Sequence, residues 1–308
     1  MTPIPKTIPS TLKRIQTAIE ANEGEDWESV GVPAGDIGVA CDRAIWLAFR
    51  RVSAPEPITW RKRRIFERGN IEEERLVELM RLAGFTVTDQ QERVRGAGGH
   101  LRGKIDGKIE GLPESKQMHI LECKSSKASD FRAMVKSGVQ IANPKHYATV
   151  QFYMHKSGLD RALYVMSCKD TEDLHVERVR LDIEAAIRAE ARIERIIVMP
   201  EPPTRLCAKR DDFRGMFCRQ AAVCWGEEMP RAHCRSCLHS TPVLDGKAGW
   251  DCSRWQKPLG AEEQLAGCPA HLFLPALVTG ELLEVDEENE TIKYKLNSGE
   301  LWTDGAAR

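Results

Sequence analysis

Gly103-Lys104-Ile105-Asp106-Gly107 and Ile120-Leu121-Glu122-Cys123-Lys124-Ser125, whose glutamate stands sixteen residues after Asp106, are the stretches whose reading decides the fold. Both have strand character, with an apolar entry and then alternation. Side chains two apart on a strand share a face. Glu122 and Lys124 therefore point one way and Cys123 the other. On the first strand Asp106 shares a face with Lys104 and Lys108, which leaves Ile105 and Ile109 on the opposite face. The intervening Gly111-Leu112-Pro113-Glu114-Ser115 reads as a turn folding the two strands together. One Asp, one Glu and one Lys then converge at the edge of a small sheet.

Such a cluster suits phosphodiester hydrolysis. Two carboxylates hold a hard divalent ion such as Mg2+ or Mn2+, which leaves room for water and a substrate phosphate. The ion polarises the phosphate and generates hydroxide from bound water. A neighbouring Lys orients that water or stabilises charge developing on the phosphate.

With Asp106 and Glu122-Cys123-Lys124 on two apolar strands joined by a turn, the chain resembles the PD-(D/E)XK nuclease superfamily and its RecB-like exonuclease branch. The resemblance implies an α/β, restriction-endonuclease-like core, a small mixed sheet flanked by helices. It implies Asp106 and Glu122 as metal ligands, the backbone carbonyl of Cys123 as a third, and Lys124 as the residue that orients water. In RecB-like members a helix before the sheet carries Gly followed four residues later by His or Glu. Here Gly69 precedes Glu73, on a helix whose stripe is Leu76, Leu79, Met80 and Leu82. Glu73 would complete the site; otherwise Glu72, Glu73 and Glu74 are a solvated face. The same branch carries a DNA-contacting Gln four residues before a Tyr on a later helix. Thr149 holds that position before Tyr153, and Gln151 stands two before it. Gln151 and Tyr153 are thus candidate DNA contacts, with core packing as the other reading of Tyr153.

At 308 residues the chain exceeds one average domain, and 30% charged with 42% hydrophobic residues is an ordinary soluble balance. No apolar run approaches the roughly 20 residues of a membrane helix, and Met1-Thr2-Pro3-Ile4-Pro5-Lys6 has no signal-like apolar region. The expectation is a cytoplasmic protein, in a host cytoplasm if phage-encoded, with no membrane partner. A net charge of −1 means that DNA affinity must come from local patches. Arg61-Lys62-Arg63-Arg64 is one candidate, or else the solvated start of a helix.

Ten cysteines without an export signal point to metal rather than disulfides. Cys123 and Cys168 lie in strands. Cys234-Arg-Ser-Cys237, Cys252 and Cys268-Pro-Ala-His271 offer five candidates for the four places of a structural zinc site. Cys234, Cys237, Cys252 and Cys268 are the first choice, with His271 replacing one thiolate as the alternative. The other group is Cys41 with the C-x5-C pair Cys218 and Cys224. It resembles the [4Fe–4S] ligand set of AddB-like and CRISPR-associated RecB-like nucleases, one N-terminal Cys and a C-terminal C-x2-C-x5-C. Gly215 stands where the first cysteine of that trio would be, and Cys207, eight residues upstream, could substitute for it.

The expected organisation is a helical arm over 1–40, the nuclease core over 41–228, a cysteine-rich zinc module over 229–275 and a β-hairpin tail over 276–308. The leading expectation is a divalent-metal-dependent deoxyribonuclease, an exonuclease of phage or mobile-element type. Its setting would be DNA recombination, repair or end-processing, with a recombination or helicase partner. The alternative is a catalytically silent DNA-binding scaffold that keeps the fold.

Overall fold

The computed structural model describes residues 10–22 and 31–305. The N-terminal hexapeptide and the 23–30 part of the expected arm lie outside the described residues. Helix α1 (Ser10–Ala21) accepts the Trp60 amide on Glu20 at 3.1 Å. Strand β1 (Val32–Pro33) and helix α2 (Asp42–Phe49) follow, then α3 (Trp60–Leu82), whose Thr59 cap accepts from Lys62 N. The chain continues through β2 (Thr86–Thr88), β3 (Arg93–Gly96), β4 (Leu101–Lys104), β5 (Gly107–Glu110) and β6 (His119–Ser126). Helices α4 (Ala128–Ala142) and α5 (Pro144–Ser157) lead to β7 (Arg161–Cys168), β8 (Leu174–Arg180) and α6 (Ile183–Val198).

The central sheet runs β2-β5-β6-β7-β8, with β6 and β7 parallel and the other pairs antiparallel. A parallel pair needs a crossover, and α4 with α5 supplies it. Both faces are covered, so the middle strands are apolar on both sides. Leu121, Cys123, Leu163 and Val165 pack against Leu76, Val77 and Met80 of α3. Ile120, Ala162, Tyr164 and Met166 face the larger core with Val150, Phe152 and Ile193 from α5 and α6. The crossover bends at Gly138, whose φ is +70°. A Cβ there would meet the Glu177 carboxylate at 2.9 Å, and that carboxylate accepts the Val139 amide at 2.8 Å. Asn143 caps α5 by accepting from His146 N, and Pro144 supplies its first turn.

The expected single strand through Asp106 is two strands. β4 belongs to a separate sheet ordered β1-β4-β3, while β5 belongs to the central sheet, and Ile105-Asp106 is the joint. Ile105 and Ile109 therefore do not share a face. The first is buried in the larger core and the second under α3. The 111–115 segment is the turn between β5 and β6, closed by a Leu112–Ser115 bridge.

Beyond α6 come α7 (Ala221–Trp225), a small sheet of β9 (Ser240–Pro242), β10 (Trp250–Cys252) and β11 (Lys257–Pro258), and α8 (Glu263–Ala266). Cys234, Trp250, Cys252, Leu259, Leu274 and Leu277 join the same core as α2 and α6. The contact is aromatic and cationic. Phe49 stacks on Trp250 at 5.2 Å, and the Arg50 and Arg235 guanidinium groups lie 5.4 and 5.2 Å from the Trp250 ring centre. The tail is β12 (Gly280–Asp286), β13 (Thr291–Leu296) and β14 (Leu301–Asp304). The expected hairpin is a three-stranded meander: the acidic segment turns β12 into β13, and Asn297-Ser298-Gly299 turns β13 into β14.

Candidate active site

Asp106 is placed by the joint between the two sheets, and Glu122 and Lys124 by alternation on β6. The Asp106 carboxylate accepts the Cys123 amide at 2.7 Å, which fixes it against β6. Lys124 Nζ lies 2.5 Å from Glu122, 2.9 Å from the Cys123 carbonyl and 3.4 Å from Asp106. Glu73 reaches the same neighbourhood from α3, held by a 2.7 Å hydrogen bond from Gln91. Tyr153 supports β4 from behind: a Cβ on Gly103 would fall 2.5 Å from its hydroxyl, so only glycine fits there.

The electrostatics follow from burial. Glu122 is 4% exposed. Burial pushes its carboxyl up to about 7, Asp106 adds to the shift, and Lys124 opposes it. Burial also works against the charge of Lys124, but Glu122 and Asp106 outweigh it and hold the ammonium well above its ordinary range. Glu73 is raised by burial and by Asp106. One lysine thus faces three carboxylates.

Glu122 Oε2 is buried and has no hydrogen-bond partner. An unsatisfied buried acceptor costs about 1–3 kcal/mol, more when charged. A hard divalent cation would satisfy it, and Asp106 with Glu122 is the one or two carboxylates that Mg2+ takes. The residues therefore fit such an ion. Among the described residues no group of three or more His, Cys, Asp or Glu side chains forms a closed ion-binding set. The Cys123 carbonyl, the expected third ligand, accepts from Lys124.

Two neighbours went unread in the sequence. Tyr164 pairs with Glu122 across β6 and β7, and its hydroxyl lies 2.8 Å from His146 Nδ1. Burial, with Lys124 and Lys145, pushes His146 down to about 4. The strand alternation that points Glu122 inward also points Tyr164 there, which is the signal that could have found it. Beside them a cleft of about 480 Å3 is lined by Ser125, Ser126, Lys127, His146 and Lys169. It lies at the carboxyl ends of β6 and β7, where ligands of open α/β sheets bind.

Other expected contacts are turned inward. Gln151 is 1% exposed, donates to the Arg180 carbonyl and accepts the Asp182 amide. Its amide is spent on joining α5 to the start of α6, so the expected DNA contact is corrected. Tyr153 is buried core, and Thr149, in the family's Gln position, donates to the Ala34 and Lys145 carbonyls. In the basic run, Lys62 pairs with Glu56 at 2.5 Å, Arg63 donates to the Asn22 carbonyl and Arg61 lies over Trp60, with Arg64 on the same first turns of α3.

The cysteines form two neighbourhoods. Cys41, Cys207, Cys218 and Cys224 line one cavity of about 280 Å3, walled by apolar side chains including Phe217 and Trp225. Cys234, Cys237 and Cys252 are buried and Cys268 half-buried. The Cys234 thiol is pushed up to about 11 by burial and then by Cys237, Cys268 and Cys252. His271 faces Ser236 at 3.3 Å and packs edge-on against Phe273.

No family model matches the chain, and no curated protein matches it. Solved structures similar to it include the alkaline exonuclease LHK-Exo from Laribacter hongkongensis. It is 14% identical with a TM-score of 0.40, over 55% of this chain and 86% of that one. The complex of LHK-Exo with dAMP gives a TM-score of 0.39 at the same identity and coverage. A phage-related exonuclease from Haemophilus somnus 129PT is 16% identical with a TM-score of 0.34, over 42% of this chain and 68% of that one.

Proposed function

We propose that this protein is a divalent-metal-dependent deoxyribonuclease on a PD-(D/E)XK-type core. The observation that supports it most is the convergence of Asp106, Glu122 and Lys124 at the joint of two sheets, with one buried Glu122 oxygen unpartnered. Asp106 and Glu122 would hold Mg2+ or Mn2+, with Glu73 beside them. When bound, the ion supplies Lewis-acid activation of the phosphate and of water. Lys124 does the rest of the electrostatic work. Its ammonium, kept charged by two carboxylates, is placed to meet negative charge growing on the phosphate. The Cys123 amide keeps Asp106 turned toward Lys124. The cleft beside His146, with Lys127 and Lys169 on its rim, is where the nucleotide chain would lie.

The test is degradation of end-labelled single- and double-stranded DNA with Mg2+ or Mn2+, comparing wild type with Asp106→Ala and Lys124→Ala. Metal-dependent loss of label in the wild type alone is expected. DNA binding without cleavage under either metal would favour the silent scaffold. Full activity in either variant would overturn the site.

A further inference from the structure

Position 215 lacks the thiol that would complete a C-x2-C-x5-C trio with Cys218 and Cys224. The fold brings another thiol to that place. A Cβ built on Gly215 would lie 2.9 Å from Cys207 Sγ and 3.7 Å from Cys207 Cβ. The Cys207 sulfur thus fills the side-chain space of position 215. The backbone at 215 is itself fixed: Gly215 donates to the Asp212 carbonyl at 2.9 Å and accepts the Cys218 amide at 3.0 Å. Cys41, at the start of α2, closes the set from the other end of the chain.

We propose that Cys207 is the fourth ligand of an iron–sulfur cluster held with Cys41, Cys218 and Cys224, in place of the cysteine missing at 215. Four soft thiolates are the ligand set of a [4Fe–4S] cluster. The cavity that they line, about 280 Å3 and mostly apolar with Arg205 and Arg214 also in its wall, has room for a polynuclear group. A lone zinc with bonds of about 2.3 Å draws its four sulfurs into contact and needs no such space. The cluster would tie the N-terminus of α2 to the segment after α6. The proposal stands apart from the nuclease reading, and each can fail alone.

The experiment is iron, acid-labile sulfide and zinc analysis with visible absorbance, on full-length protein purified without oxygen. About four iron and four sulfide per chain are expected. Cys207→Ser should lose most of the iron, on the order of tenfold. Adding Gly215→Cys to Cys207→Ser should restore it by rebuilding the trio, and Cys168→Ser should keep it. Alkylation of the wild type before and after iron chelation covers the case in which a variant fails to fold. Cys207 should be protected together with the other three thiols and become reactive with them. Zinc without sulfide, no metal in the wild type, iron retained by Cys207→Ser, or Cys207 reactive in the iron-loaded protein would each overturn the proposal.

Discussion

Among the described residues, the buried charge around Trp250 and that around Glu122 are treated differently. Around Trp250, Arg235 is 1% exposed yet donates to the Phe49 carbonyl at 3.0 Å and to Gln264 at 2.7 Å, while its guanidinium lies over the ring. Its charge is absorbed by acceptors and π faces. Around Glu122, three carboxylates share one lysine, and a buried oxygen is left with no donor. Arg235 has acceptors for its charge, although Arg50 Nε and Trp250 Nε1 in the same cluster have no hydrogen-bond partner; at Glu122 the unpartnered atom is an acceptor among carboxylates, the kind that a cation would satisfy.

That contrast can be broken, most forcefully at Trp250. Trp250→Ala should cost about 3–5 kcal/mol of stability, the range for truncating a buried aromatic. Denaturant unfolding measures it, and a loss below about 1 kcal/mol would mean that the stack is not structural. Next in size, Lys124→Ala should cut cleavage about 10²–10³-fold with little change in Tm, a typical loss for one preorganised electrostatic group. If Tm collapses instead, the acidic cluster is as structural as the aromatic one.

The pH dependence sharpens the comparison. Folded, Glu122 keeps its proton to about pH 7, whereas a solvated glutamate loses it near ~4.3. Between those values the folded state binds more protons, so stability falls as pH rises. Urea unfolding at several pH values should show this slope, and Mg2+ or Glu122→Gln should flatten it. A slope unchanged by both would place its origin elsewhere. The smallest effect is expected at the second cysteine group, for which we propose a structural zinc on Cys234, Cys237, Cys252 and Cys268. Cys234→Ser should release about one zinc per chain. It should lower Tm by only a few degrees, because the Trp250 stack still holds the segment. Wild-type protein without zinc would refute this ligand set.

Strand β6 was legible because local alternation decides it: Glu122 and Lys124 lie on the face of Ile120, toward one core, and Cys123 faces the other. The turn at 111–115 was legible for the same reason. The break at Asp106 was not. Alternation through Lys104-Ile105-Asp106 looks continuous, and only the tertiary choice of two sheets sends Ile105 and Ile109 to different cores. Gln151 was drawn in by the family's Gln-before-Tyr pattern, from which it is displaced by two residues, while its partners, Arg180 and Asp182, lie about thirty residues away. Cys207 could be named as a substitute for the thiol missing at 215, but its placement there was not legible, since the loop that returns it obeys no period.

The parallel pairing of β6 with β7 has a consequence in time. Glu122 and Lys124 lie on a strand whose partner, residues 161–168, is separated from it by the whole α4–α5 crossover. Such non-local pairing forms late, after loop-closure entropy has been overcome. On a ribosome, β6 would emerge well before β7, and Glu122 could not be enclosed until Tyr164 had been made. The surroundings of Glu122 therefore cannot be complete until more than half of the 308 residues have been made.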